Sequence, residues 1–335
     1  MIQNQKMTWK EAFFNTPGPR RLADSAVLIV KGFLMGIADV IPGVSGGTIA
    51  LIVGIYENIL NAVQSIDLAA FKLFFTGKFK QLTAKIHLRF LLVLFLGINS
   101  AVIGLSRVMN YLLNYHPVPT WAFFFGLIGA SIFIVAGHVQ KWTIGTFFMV
   151  VLGAVGGFFL VGLIPLTTPE TWWFIFISGF IAICAMILPG ISGAFILLII
   201  GKYEFITASL KNPFILQNFI TITIFSLGCA VGLGLFTRFL NFLLKQYHSL
   251  TMAFLTGLMA GSLRKIWPWK FVLESRAIGS KIIPLRTENV LPNGDIASNW
   301  MAFSLILMGL CIVFALHWIA KKHKETEQGE YRQAN

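Results

Sequence analysis

Acidic residues are scarce in this chain. Of 335 residues only 13 are Asp or Glu, against 26 Lys or Arg, and charged residues together make up 12%. Soluble domains carry about 25%, so most of this surface is not built for water. Cysteine is almost absent. Cys184, Cys229 and Cys311 lie far apart in apolar runs without CxxC or metal-ligand spacing, which excludes a disulfide framework and a thiolate metal site. They read as small buried hydrophobes, and no metal or cofactor is expected. Short alternating strands are missing too, which excludes a membrane β-barrel.

What is present is apolar. The hydrophobic fraction is 56%, mean hydropathy is +0.78, and there are 32 Phe and 9 Trp. Several runs reach the ~20 residues that cross a bilayer, so the fold class is an all-α polytopic membrane protein. The net charge of +13 resides mainly between the apolar runs. That placement signals topology and contact with anionic membrane lipids, not nucleic acid. The first 22 residues are polar and basic, and the run after them has no A-x-A-like exit, so it reads as an uncleaved first membrane segment.

The chain repeats itself. Gly32–Ile59, containing "VIPGVSGGTIALIVGIYE", aligns with Gly179–Ile206, containing "ILPGISGAFILLIIGKYE", and about half of the positions are identical. "GINSAVIGLSRVMNYLL" from Gly97 pairs with "GCAVGLGLFTRFLNFLL" from Gly228, and "TWAFFFGLIGAS" from Thr120 with "TMAFLTGLMAGS" from Thr251. Each half reads as a Pro-Gly-broken re-entrant hairpin plus about three helices. The expected organisation is an N-terminal segment 1–24 and a first repeat 25–166, with hairpin 25–64, basic linker 67–88 and helices 89–166. A second repeat 167–320 follows, with hairpin 172–210, helices 214–264, loop 265–299 and helix 300–320, and then a tail 321–335. Lys6, Lys10, Arg20 and Arg21 precede the first hairpin, and Lys72, Lys78, Lys80, Lys85 and Arg89 follow it. Both flanks are cytoplasmic by the positive-inside rule. A hairpin that returns to its side, followed by three crossings, makes the second half enter from the opposite face. That is an inverted-topology repeat, common in transporters. Lys141 and the tail fall inside as well. The basic loop 265–299 falls outside and opposes the rule. The linker 67–88 reads either as an amphipathic surface helix or as a solvated loop.

Pro42 and Pro189 stop a helix. Gly43 and Gly190 permit a turn, and Ser45 and Ser192 suit the N-cap of the helix that restarts. Gly46, Gly47 and Gly193 leave room for another group to approach the backbone. A helix N-terminus inside a membrane offers free N–H groups to an anion, phosphate above all, and needs protein or a watery cavity around it. Arg107 and Arg238 stand at matching places and suit either a bidentate phosphate contact or snorkelling to the interface. Glu57 and Glu204 close the second hairpin arms as partners for the arginines, proton carriers or interfacial residues. Asp39 has Met186 as its counterpart, so this one-sided acid is a candidate for ion coupling or a cap. Asn110 and Asn241 read as interhelical hydrogen-bond formers. His138 reads as incidental.

The double motif "GIADVIPGVSGGTIALIVGIYE" and "ILPGISGAFILLIIGKYE" resembles the bacterial polyprenyl-phosphate transporters (PopT), over roughly residues 25–320. The resemblance implies a plasma-membrane flippase that returns undecaprenyl phosphate from the outer to the inner leaflet for peptidoglycan and other envelope polymers. It also implies coupling to an ion gradient, with proton and sodium both open. Termini are expected in the cytoplasm, and the sequence leaves a homo-oligomer open. The motif is also similar to that of membrane undecaprenyl-pyrophosphate phosphatases. The arginine that adjoins the serine there is replaced by Gly46 and Gly193, which removes the main electrostatic support for hydrolysis. A transporter, not an enzyme, is the expectation. A channel or transporter for a small soluble anion would use the same half-helix chemistry.

Overall fold

The computed structural model describes residues 8–14, 16–40, 45–163, 166, 168–278, 281–292, 294 and 296–333. The first tip residues Pro42 and Gly43 therefore lie outside the described residues.

The chain is mostly helical. A short α1 (Trp9–Phe14) and the long α2 (Leu22–Val40) lead into α3 (Gly46–Ile52) and α4 (Tyr56–Gln64). The linker folds as α5 (Leu68–Phe75) and α6 (Phe79–Lys85). Asp67 caps α5 through Ala70 N–H at 2.8 Å and pairs with Lys85 Nζ at 2.6 Å, and the Lys85 ammonium holds its carboxyl below the usual carboxylate range. Next come α7 (Leu88–Tyr115), α8 (Pro117–Ala136) and α9 (Ile144–Leu160). The second half runs α10 (Trp172–Ile187), α11 (Gly193–Ile199), α12 (Tyr203–Lys211), α13 (Leu216–Gln246) and α14 (His248–Ile266). It ends with strands β1 (Lys270–Ile278) and β2 (Lys281–Asn289) and the helix α15 (Ile296–Gln333).

By length and composition Leu88–Tyr115, Pro117–Ala136, Leu216–Gln246 and Asn299–Trp318 are long and apolar enough to cross a membrane, giving four spans, or up to six if each bent pair counts as one. Apolar side chains such as Phe95, Phe147, Phe159 and Leu307 are more than half exposed on these helices and on α9, as a lipid solvent requires. Buried residues from both halves, among them Leu60, Ile128, Leu255 and Met259, share one core.

Three expectations need correction. The second arm of each hairpin is not one helix. α3 and α4 meet at 115° and α11 and α12 at 112°. The cause lies in the G-x-Y-E words. Gly54 (φ 71°) and Gly201 (φ 66°) take the left-handed conformation that closes a helix. Gly54 N–H donates to Leu51 O and Ile55 N–H to Ala50 O; Gly201 N–H donates to Leu198 O and Lys202 N–H to Leu197 O. Both ends are Schellman motifs in the same register. Second, the stretch expected as loop 265–299 holds the antiparallel hairpin β1–β2, with irregular register between Val272 and Ser275. Its base is pinned by Trp267 Nε1 donating to Val290 O (2.8 Å) and Trp269 Nε1 donating to Asn299 Oδ1 (2.9 Å). Third, α15 continues through the expected tail to Gln333.

Helix pairing crosses between halves. α2 packs on α7 and α10 on α13, each within its own half, whereas α8 packs on α15 and α9 on α14. Glycine makes the closest approaches. A Cβ placed on Gly153, Gly157, Gly257 or Gly261 would lie 2.0–2.6 Å from a backbone carbonyl oxygen of the facing helix, α14 or α9.

Candidate functional site

The two hairpin tips touch. Ser45 is 1% exposed and caps α3, its Oγ accepting from Gly47 N–H at 3.1 Å. The same hydroxyl lies 3.3 Å from both Met186 O and Leu188 O, so it can donate to the other tip. Thr48 Oγ1 accepts from Gly190 N–H (2.9 Å), and Tyr56 OH donates to Ile187 O (3.0 Å). Leu188, placed before Pro189, has the extended backbone that a following proline imposes (ψ 129°), and this frees Ile187 O and Leu188 O from helix pairing. Glycine allows the contact: a Cβ on Gly47 would meet Ile187 O at 2.8 Å, and one on Gly190 would meet Met259 Cα at 2.9 Å.

The tips differ in charge. Asp39, in the last turn of α2, accepts from Gly46 N–H at 2.8 Å, so an internal carboxylate already occupies the α3 N-terminus. A Cβ on Gly46 would strike that carboxylate at 2.7 Å, which explains the glycine. At the second tip Met186 replaces the acid. Ser192 holds the N-cap position of α11, but its side chain makes no cap bond. That corrects the expectation of two equivalent caps. Between the tips lies a cavity of about 120 Å³ lined by Asp39, Ser45, Met186, Ser192 and Gly193. This space takes a small polar group or a few waters and not a long hydrocarbon chain. Ser45→Ala should lower thermal stability by about 1 kcal/mol, the loss of a working N-cap. Ser192→Ala should change it far less, and paired melting curves in detergent check the difference.

Other expected site residues stand elsewhere. Arg107 and Arg238 are exposed on α7 and α13 and do not line this cavity. Arg238 Nη1 donates to Gly234 O of its own helix (2.9 Å). Glu57 and Glu204 are exposed in the first turns of α4 and α12, where carboxylates complement the helix dipole, and among the described residues neither forms an ion pair with an arginine. Asn241 is interhelical as expected, donating to Gln64 Oε1 at 2.7 Å, whereas Asn110 accepts from Asn114 on its own helix (3.4 Å). Cys311 is exposed, against expectation.

Several cations escaped the sequence reading. Lys202 is 1% exposed, donating to Thr168 O at 2.9 Å with the Phe174 and Phe205 rings each 5.6 Å away. It fills the position after the closing glycine, where Ile55 stands in the first half. Arg89, read as a linker charge, is 5% exposed and donates through Nη2 to Thr16 O and Gly18 O. At the far end of α14, Arg264, Lys265 and Lys270 each lie over an aromatic ring, Phe158, Phe195 and Trp121, at 4.1–4.3 Å. Lys270 also donates to Lys265 O. Burial, and then the nearby Lys265 charge, push the Lys270 ammonium down to about 7.

Long apolar helices around two broken helix pairs, joined at buried tips, define a multi-pass helical membrane protein with a small chamber between the tips, into which one carboxylate and two serines are set. The chain belongs to the undecaprenyl phosphate translocase-like family, whose model matches residues 35–282. A polyprenyl-phosphate transporter of Vibrio cholerae is 39% identical over 300 residues, covering 88% of this chain and 96% of the relative. A polyprenyl-phosphate transporter of Staphylococcus aureus is 32% identical over 255 residues, covering 72% and 85%. No solved structure matches.

Proposed function

We propose that the protein carries the phosphate headgroup of a polyprenyl phosphate across the bacterial plasma membrane while the prenyl tail stays in lipid. Undecaprenyl phosphate, returned from the outer to the inner leaflet for reuse in cell-wall synthesis, is the substrate we favour. The observation that carries this reading is the chamber between the tips. It takes a small polar group, sits at two interrupted helices, and is charged on one side only. The names of the relatives agree with the substrate class.

The two repeats are read as inverted, each a broken hairpin plus three helices, with both termini cytoplasmic. The reciprocal packing of α8 on α15 and α9 on α14 supports that reading. Gly43, Gly46, Gly47, Gly190, Gly193, Ser45 and Ser192 form the headgroup path, and Pro42 and Pro189 the breaks. Arg107 and Arg238 flank it on exposed helix surfaces, each about 12 Å from the C-terminal end of its helix at 1.5 Å per residue, and meet the phosphate as it enters or leaves. Asp39 is the coupling group. While ionised it holds the Gly46 N–H and competes with phosphate. Binding a proton or sodium ion weakens that competition and opens the α3 end to the headgroup. Glu57 and Glu204 are the secondary candidates.

The test is reconstitution of pure protein in liposomes with undecaprenyl phosphate on one leaflet, with and without pH and sodium gradients. Headgroup translocation without phosphate release is expected, faster under one gradient. Release of phosphate from the pyrophosphate lipid would favour an enzyme, and flux of soluble anions without polyprenyl lipid would favour a channel.

A further inference from the structure

Arg264, Lys265 and Lys270 are not explained by the tips. They come from the end of α14 and the start of β1, and the rings beneath them come from three other elements: Phe158 on α9, Phe195 on α11 and Trp121 on α8. The arrangement is therefore built by tertiary structure. Among the described residues none of the three cations has a carboxylate within ion-pair distance. The charges that each lysine feels are those of its neighbours in the cluster, Arg264 on Lys265 and Lys265 on Lys270. Lys265 and Lys270 are half-buried and Arg264 is exposed, and the aromatic face beneath each compensates it by about 0.5–2 kcal/mol.

The fold does not require these charges. In the repeat register that pairs Thr120 with Thr251, Arg264 corresponds to Phe133 and Lys265 to Ile134. The cluster is also next to the chamber. Phe195 follows Gly193 and Ala194 of the chamber wall by one to two residues, and Gly190 packs on Met259 and Ser262, one turn before Lys265. Arg264 is exposed over Phe158 and against Gly162, and Phe158, Phe159 and Leu163 of that stretch are themselves exposed, so an anion attached to a lipid tail can arrive sideways.

We propose that Arg264, Lys265 and Lys270 form a receiving site for a phosphate monoester, separate from the hairpin tips and one helical turn from them. A guanidinium fork and two ammonium groups suit that dianion. The proposal rests on the transport reading above for its role as an entry station, but its phosphate chemistry stands without it. It also gives a purpose to the basic loop that opposes the positive-inside rule.

The experiment measures binding and ligand-induced melting shifts for full-length protein in detergent, with undecaprenyl phosphate, undecaprenol and inorganic phosphate as probes. The variants are K265Q/K270Q and K265R/K270R. Wild type is expected to bind the phosphate lipid and not the alcohol. The Gln variant loses two charged donors and should bind it at least about tenfold more weakly, since one charge-assisted contact alone is worth about that much, while its ligand-free melting temperature stays level or rises as repulsion is relieved. The Arg variant should recover binding. Wild-type affinity in the Gln variant overturns the site. A lower ligand-free melting temperature with unchanged affinity shows that the lysines only cap α14, and overturns it equally. Loss of binding that the Arg variant does not recover counts against a charge-based site. Binding of inorganic phosphate but not of the lipid, lost in the Gln variant, supports the site and sinks the lipid reading. No binding of any probe by wild type sinks both.

Discussion

Asp39→Asn should uncouple transport from its driving gradient without unfolding the protein. The carboxylate is held 2.8 Å from Gly46 N–H at the start of α3. An Asn side-chain oxygen accepts the same bond, so the cap persists while the charge is gone. If the charge is what competes with phosphate, the variant keeps the chamber open in all conditions. Flipping of undecaprenyl phosphate in liposomes then continues downhill, and the ratio of rates with and without the gradient falls to about one. Headgroup affinity without a gradient should rise. Asp39→Ala removes the cap as well, and should add a loss of about 1 kcal/mol of stability. A gradient response equal to wild type in the Asn variant would falsify the coupling role. The second tip has Met186 in this place, so Met186→Asn is a suitable control with no effect on coupling.

The largest loss of stability is expected from Gly257→Leu. Gly153 and Gly157 on α9 face Gly257 and Gly261 on α14, each pair four residues apart, as in helix dimers of the small-xxx-small kind. A Cβ on Gly257 would lie 2.0 Å from Val150 O and 2.9 Å from Ala154 N. These are backbone atoms, so no rotamer change relieves the clash and the helices must separate. Overpacking costs about 1–3 kcal/mol, and more where backbone has to move. Gly156 lies on α9, the partner helix, with nothing within 4 Å of its added Cβ. Gly156→Leu is therefore the matched control. Melting in detergent and elution as a single species should distinguish the two, and equal behaviour would mean that the α9–α14 seam does not hold the protein together.

Much of this architecture was legible because lipid leaves few options. Apolar run length marked 89–166 and 214–264 as helical, where α7, α8, α9, α13 and α14 stand, and the duplicated Pro-Gly words marked where α2 and α10 end. The second break in each arm was missed for a definite reason. The apolar run continues through G-x-Y-E without a proline, yet its glycine is a helix C-cap, its tyrosine restarts a helix, and its glutamate faces a dipole. The β1–β2 hairpin was missed because the charges of 265–299 outweighed a weaker signal, two β-branched and aromatic stretches separated by Gly279-Ser280. In the site, identical serines gave no hint that only Ser45 finds its cap bond. That depends on the neighbouring tip, which supplies Met186 O and Leu188 O to Ser45. Lys202 and the α14 cations were invisible for the same reason: burial over an aromatic ring is a property of distant elements meeting.

The packing of α8 against α15 sets an order in time. Gly126 lies against Ile306 O so closely that a Cβ would come within 2.0 Å of it. Roughly 180 residues separate them, and at about 5–20 residues per second a ribosome takes roughly ten to forty seconds to supply the partner. Throughout that interval α8 lacks the helix that covers its Gly126 face in the finished fold. Synthesis of the last helix therefore completes the first half of the molecule, and a chain released early lacks a wall at both ends.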